Sequence, residues 1–267
     1  MKVVLLAGGL GTRLSEETTI RPKPMVEIGG RPILWHIMKY YALWGHTEFI
    51  LCLGHKAEEI KHYFLTYNEA LVNDFTLSEG GKRIDLMRSD IDDWKITFVD
   101  TGRDAKIGER LKAVEPFIGG DSTFLATYGD GLTDVPLQPM IDHFEERQKL
   151  AMFLSVRPAI NMHVVEADEN DVVREIENIR NSRVRINGGF FVLRREVLDL
   201  IEPGDELVER PFQRMIESEQ LIAYPYEGFW AAMDTLKDKQ YLDGLVASGT
   251  TPWLSLEPTA AVPEYFS

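Results

Sequence analysis

Short apolar runs alternate with amphipathic stretches along the first half of the chain. Residues 3–6, Val-Val-Leu-Leu, form an apolar and partly β-branched run that breaks off into glycines, which predicts a strand buried on both faces and feeding a loop. Beyond that loop Ile33, Leu34, Ile37, Met38 and Tyr41 recur at helical spacing, Pro32 suits the first turn of the helix they predict, and Gly45 is a natural stop. The alternation continues with strands over 49–53, 96–99 and 122–128 and helices over 57–64 and 136–148, while residues 68–94 form a long polar connection. Strands separated by helices predict a parallel sheet with crossover connections, and such sheets place ligands at the carboxyl ends of their strands. The glycine-rich loop after the first strand and Asp130 after a later one are thus expected on one edge.

After Leu150 the pattern loosens. Strands over 151–156, 164–167 and 172–176 predict an antiparallel extension, suited to cover a bound ligand. A strand over 189–193, helices over 195–201 and 211–219, a strand over 221–226 and a helix over 235–246 complete the expected elements. The fold class is therefore α/β: a Rossmann-like, mixed, mostly parallel sheet flanked by helices, with a small antiparallel extension. One domain is expected over residues 1–253, followed by a tail over 254–267 rich in Pro, Ala, Thr and Ser.

Composition narrows the function. A length of 267 residues with 44% hydrophobic content predicts a sizeable core. With 43 acidic against 29 basic residues the formal net charge is −14, which argues against a non-specific grip on nucleic acid and requires any anionic ligand to find a locally basic pocket. The apolar run at the start is too short for a signal-peptide core or a membrane span, so a soluble, cytoplasmic protein without a membrane partner is expected. Cys52, the single cysteine, excludes an internal disulfide and suits a small buried hydrophobe.

The candidate chemistry starts in the first loop. Ala7, Gly8, Gly9 and Gly11 let backbone N–H groups approach a ligand and cradle phosphate oxygens, and Arg13 adds a cation. A P-loop would end in Gly-Lys-Ser/Thr where this loop has Gly-Thr-Arg, and a dinucleotide fingerprint would need a third glycine where Leu14 stands. Lys23 lies between Pro22 and Pro24, on a stiff backbone with little entropy left to lose. Asp130, between two glycines, suits a turn, and Asp234, before Thr235, suits a helix cap; either carboxylate could also face a cleft.

Leu6-Ala-Gly-Gly-Leu-Gly-Thr-Arg-Leu14, followed by Lys23-Pro-Met-Val-Glu-Ile-Gly-Gly30, resembles the signature of the sugar-1-phosphate nucleotidyltransferases. Ser15-Glu-Glu-Thr18, Val99-Asp-Thr-Gly102, Thr127-Tyr-Gly-Asp-Gly131, Ile186-Asn-Gly-Gly-Phe-Phe-Val-Leu193, Gly228-Phe-Trp230 and Met233-Asp-Thr-Leu236 are most similar to the glucose-1-phosphate cytidylyltransferase branch of that family. The resemblance covers residues 1–253 and implies the nucleotide-diphospho-sugar transferase fold, with a nucleotide half over about 1–135 and an acceptor half over about 136–253. It implies attack by a sugar-1-phosphate oxygen on the α-phosphorus of CTP, release of pyrophosphate, and Mg²⁺ held by Asp130 and Asp234. Carried over by motif, Arg13 and Lys23 are the catalytic cations. Leu6, Ala7, Gly8, Gly9, Gly11, Thr12, Thr18, Arg110, Tyr128 and Gly129 join them around the nucleotide. Asn187, Gly188, Trp230 and Arg180 fall on the acceptor side, and relatives assemble as homo-oligomers.

The chain departs from the family at the acceptor. Where relatives carry Glu-Lys-Pro, with a lysine for the acceptor's phosphate, this chain has Glu177-Asn-Ile179, and no lysine occurs between Lys149 and Lys237. Arg180, Arg183 and Arg185 are the candidates to replace it. Arg157-Pro-Ala-Ile-Asn-Met-His163 likewise replaces a glycine-containing run, and His163 is a candidate contact to a different acceptor. The acceptor's identity, UTP or dTTP in place of CTP, and a catalytically weakened nucleotide- or sugar-phosphate-binding paralogue all stay open on sequence alone; the missing third glycine disfavours a Rossmann oxidoreductase.

Overall fold

Eight strands build the central sheet of the computed structural model, which describes residues 1–9, 21–158 and 162–256. They are β1 (Val3–Leu6), β2 (Glu48–Leu53), β3 (Lys95–Asp100), β4 (Thr123–Tyr128), β5 (Ala151–Val156), β6 (Ile186–Asn187), β7 (Phe191–Arg194) and β8 (Leu221–Pro225). Strands β3, β2, β1 and β4 run parallel in that order, with Val3 paired to Phe49 on one side and Leu125 on the other. Strand β7 adds antiparallel to β4, β5 runs antiparallel to β6 and β7, and β8 returns parallel to β5. The sheet is therefore mixed and mostly parallel in its first half, as the alternating pattern predicts.

Helices cover both faces, which is why β1 has no polar position to offer. Val3 and Leu5 join one core layer with α1 (Ile33–Leu43), whereas Val4 and Leu6 join the opposite layer with Leu111 of α3 (Ile107–Ala113). The remaining principal helices are α2 (Ala57–Leu65), α4 (Leu137–Arg147), α5 (Arg210–Glu217) and α6 (Leu236–Ala247). Cys52 is buried in the second layer, where burial pushes its thiol up to about 12 and removes it from thiolate chemistry.

Several expectations change. Residues 68–94 are not merely a connection: Phe75–Ser78 and Arg83–Leu86 form an antiparallel hairpin whose apolar positions stay exposed, so alternation there was not accompanied by burial. Pro32 caps α1 from outside its first turn, and residues 195–200 wind as a 3₁₀ helix. The strand expected over 189–193 is interrupted. From Met152↔Val192 to Ser155↔Asn187 three steps on β5 face five on its partner, so Gly188, Gly189 and Phe190 bulge out, the last two at φ of 77° and 49°. Of the strands expected in the antiparallel extension, 151–156 belongs to the central sheet as β5, and the other two form a separate hairpin, His163–Ala167 with Val173–Asn178. Trp253 is fully buried and belongs to the core.

Candidate active site

The parallel strands end together where the glycine-rich loop begins at Ala7, and one arginine ties those ends. Arg110, on α3, is only 4% exposed. Its Nη1 donates to the Leu53 carbonyl at 3.1 Å and to Thr101 Oγ1 at 2.8 Å, and its Nη2 donates to the carbonyls of Gly8 at 3.0 Å and Arg103 at 3.1 Å. The chain leaving β1, β2 and β3 is thus pinned by a single guanidinium. Desolvation lowers its pKa from the ordinary arginine value; a guanidinium is not deprotonated in proteins, so the charge is kept. Gly8 is required here, because a Cβ on it would lie 2.1 Å from Nη1. Arg110 therefore stands behind the loop and borders the cleft, a different position from the helix surface that its pattern alone allows.

A second device brings together two carboxylates far apart in sequence. Gly131–Thr133 pairs antiparallel with Trp230–Ala232, matching Gly131 to Ala232, and the Met233 N–H donates to the Asp130 carbonyl at 2.9 Å. Asp130 enters this ladder as Asp234 leaves it. Thr235, not Asp234, is the N-cap of α6, its hydroxyl accepting from the Asp238 N–H. Asp238 in turn accepts from the N–H groups of Asp234 and Thr235 at 2.8 and 2.6 Å. This reciprocal cap holds the Asp234 backbone.

Lys23 completes the group. It sits in a short 3₁₀ turn, Lys23–Met25, with Pro22 as its N-cap, and is 7% exposed. Nζ donates to Asp130 Oδ2 at 2.7 Å and Asp234 Oδ1 at 2.5 Å. Burial works against the ammonium charge, but the two carboxylates outweigh it and hold the pKa above the ordinary lysine value. Among the described residues no group of three or more His, Cys, Asp or Glu could hold a metal alone. A pair of hard carboxylate oxygens that already attracts a cation fits a divalent ion whose other ligands are phosphate and water oxygens.

These groups open onto a cleft of about 760 Å³. Leu6, Gly9, Lys23, Gly129, Asp130 and Asp234 line it, together with Tyr128, Asn187 and Trp230. Ala7 and Gly8 lie deeper, with Ala7 fully buried and its N–H on the Cys52 carbonyl. Of the residues expected on the acceptor side, Asn187 and Trp230 line this cleft, whereas Gly188 is buried behind them. Trp230 Nε1 donates to the Gly188 carbonyl at 2.8 Å, and Asn187 Nδ2 donates to the Tyr128 hydroxyl at 3.4 Å. Arg180 lies instead on a smaller neighbouring cleft of about 240 Å³, with Arg157, Tyr226 and Glu227, and Trp230 lines both. Arg157 and Arg185 are both paired to Glu227, and Arg183 and His163 are exposed. Gly11, Thr12, Arg13 and Thr18 lie outside the described residues. Sequence reasoning missed Glu206, a cleft-lining carboxylate from a polar turn that carries no motif.

A glycine-rich start to the loop after β1, a buried lysine and two converging carboxylates on an α/β sheet are equipment suited to nucleotidyl transfer. A family model for nucleotidyl transferases matches residues 2–238, and the chain belongs to that family. It is 42% identical over 258 residues to the glucose-1-phosphate cytidylyltransferase of Salmonella typhi, covering 96% of this chain and 100% of that protein. The mannose-1-phosphate guanyltransferase of Saccharomyces cerevisiae is 28% identical over 264 residues, covering 92% of this chain and 64% of the relative. Among solved structures, a UDP-glucose pyrophosphorylase complexed with UDP-glucose shares the fold, with a TM-score of 0.68 at 16% identity over 93% of this chain and 98% of that one. Among the described residues no helix is long and apolar enough to cross a membrane.

Proposed function

We propose that this chain transfers the cytidylyl group of CTP to glucose-1-phosphate, giving CDP-glucose and pyrophosphate. The observation that carries the reading is the Lys23 ammonium set between Asp130 and Asp234 in a cleft that begins at the glycine-rich loop. The cytidylyltransferase at 42% identity over nearly the whole chain supports this choice of nucleotide and acceptor.

In this reading Leu6, Gly9, Tyr128 and Gly129 line the nucleotide site, Ala7 and Gly8 shape the loop beneath it, and Arg110 fixes that loop from below. Gly11, Thr12, Arg13 and Thr18 belong to the same site by motif. Asn187 and Trp230 hold the acceptor, Gly188 fixes Trp230 through its carbonyl, and Arg180 lies on the neighbouring cleft that Trp230 also lines, where the family lysine is missing. A phosphate oxygen of the sugar-1-phosphate attacks the α-phosphorus, a new P–O bond forms, the bond between the α-phosphorus and the bridging oxygen breaks, and pyrophosphate leaves. Lys23 faces the α-phosphate region, where its fixed charge offsets the negative charge that develops, without reorganisation at the moment of reaction. Nucleotidyltransferases of this family generally use a divalent metal. Here Asp130 and Asp234 would hold Mg²⁺, which supplies charge stabilisation on phosphate oxygens.

The test is a pyrophosphate-release screen of CTP, UTP, dTTP and ATP against a panel of sugar-1-phosphates in Mg²⁺. Release with CTP and glucose-1-phosphate well above every other pair is expected. Binding of CTP without release by any acceptor would sink the reading and leave a binding paralogue.

A further inference from the structure

Trp230 lines both clefts, so its place decides how much room an acceptor meets. Its backbone belongs to a ladder of three residues on each strand, with Trp230 opposite Thr133, and a two-stranded ribbon so short is marginal by itself in water. One end of the ladder has the clamps described above, the Met233 N–H on the Asp130 carbonyl and the cap made by Asp238. The other end closes on Asp134, which is only 2% exposed.

Asp134 Oδ1 accepts from the Phe229 N–H at 2.8 Å and from the Tyr226 hydroxyl at 2.7 Å. The Phe229 carbonyl accepts in return from the Asp134 N–H at 3.2 Å and from the Thr133 hydroxyl at 2.8 Å. At the start of the turn the Tyr226 N–H donates to the Ser155 carbonyl at 2.9 Å, which anchors it to β5. Gly228 lets the turn close, because a Cβ there would run into the Tyr226 hydroxyl. Residues 226–229 thus wrap one buried carboxylate, and the next residue is Trp230. A buried carboxylate is costly unless donors meet it, and the donors to Oδ1 come from the segment that delivers the indole. The indole N–H then meets the Gly188 carbonyl at 2.8 Å, a directional bond that the ring can make only when its backbone is held in place.

We propose that Asp134 is a positioning residue for the acceptor: without touching substrate, its carboxylate fixes Tyr226 and Phe229 and, through them, the Trp230 indole. This rests on the reading in which Trp230 borders the sugar-1-phosphate. Weakening the carboxylate loosens the ladder at the Trp230 end, whereas the end at Asp130 and Asp234 keeps its own clamps. Acceptor binding therefore suffers, and nucleotide binding, which draws on β1, Tyr128 and Gly129, does not.

The test uses two variants of different severity. Asp134→Asn keeps the shape and one acceptor oxygen but removes the charge; Tyr226→Phe removes one donor and leaves the Phe229 N–H on the carboxylate. The glucose-1-phosphate KM is expected to rise about 10-fold in D134N and by less in Y226F, with the CTP KM within about twofold of wild type. A cycle with Trp230→Phe separates positioning from general loosening: D134N/W230F is expected to raise the acceptor KM no further than W230F alone, because the two residues act as a unit. The same variants give a spectroscopic readout. The emission contributed by Trp230, taken as the difference between each protein and its W230F counterpart, is expected to move to longer wavelength in D134N. Three results would overturn the proposal: equal rises in both KM values, factors that multiply in the double variant, or an unmoved Trp230 emission. If D134N does not fold, the same three readings on Y226F decide. Failure of the wild-type chain to release pyrophosphate with any sugar-1-phosphate counts against the proposed function alone, and the Trp230 emission, which needs no turnover, still decides the positioning.

Discussion

The Lys23 ammonium donates to Asp130 Oδ2 at 2.7 Å while it also holds Asp234. If the divalent ion of the proposed mechanism binds these two carboxylates, it must compete with Lys23 for their oxygens as long as the lysine has no phosphate to turn to. Removing the charge by Lys23→Met is expected to raise the affinity of the nucleotide-free protein for Mn²⁺, measured by electron paramagnetic resonance. Turnover is expected to fall at least ~10²-fold, the scale of losing one oriented charge. An unchanged Mn²⁺ affinity would show that the two cations do not share ligands.

Removal of divalent ions by EDTA is expected to stop pyrophosphate release, and added Mg²⁺ to restore it, if Asp130 and Asp234 hold the metal. Asp130→Asn keeps the shape of the side chain but halves the charge of the pair, and a loss of at least ~10²-fold in turnover is expected. Near-normal turnover would remove Asp130 from the mechanism.

Gly8 and Arg110 give a steric prediction. Gly8→Ala puts a methyl group on Nη1 of a guanidinium that four acceptors hold in place, so the arginine must move and leave buried carbonyls unpaired. A loss of about 2–4 kcal/mol in unfolding free energy is expected by urea titration, together with a raised CTP KM. Arg110→Lys preserves charge but cannot reach all four acceptors, and the same direction of change is expected.

His36 sets a pH dependence remote from the cleft. Trp253 Nε1, which can only donate, lies 3.1 Å from His36 Nδ1, so Nε2 carries the proton and donates to the Ile28 carbonyl at 2.9 Å. Burial, first among the causes, pushes the imidazole down to about 4 from an ordinary 6.5. A histidine kept neutral in the fold contributes stability that is present above pH 6.5 and is lost as the unfolded chain takes up a proton on the way down to pH 4. Between pH 7 and pH 5 this amounts to roughly 2 kcal/mol. His36→Gln, which does not titrate in this range, is expected to flatten that part of the curve in urea titrations at the two pH values. A slope identical to wild type would assign the effect to other groups.

Much of the cleft lining was legible because its residues stand where the backbone is unusual: small residues at the end of β1, a lysine between prolines, an aspartate between glycines. The sheet was legible because buried parallel strands are continuous apolar runs, as in β1 and β2. What stayed hidden depends on contacts between distant segments. The three-residue strands Gly131–Thr133 and Trp230–Ala232 are too short to show a period, so their pairing could not be anticipated. Arg110 belongs to a helix whose inward face is declared only by the carbonyls it meets, and Glu206 follows Glu202-Pro-Gly-Asp205, which looks like any polar turn.

The short ladder between Gly131–Thr133 and Trp230–Ala232 also sets a schedule. A growing chain displays its glycine-rich loop and Lys23 from the beginning and Asp130 midway, but gains the second carboxylate only after Trp230–Ala232 has threaded alongside its partner. A chain ending between β7 and that ladder would have Lys23 and Asp130 and lack the second carboxylate, Asp234. The topology thereby brings Asp130 and Asp234 together only in the finished molecule.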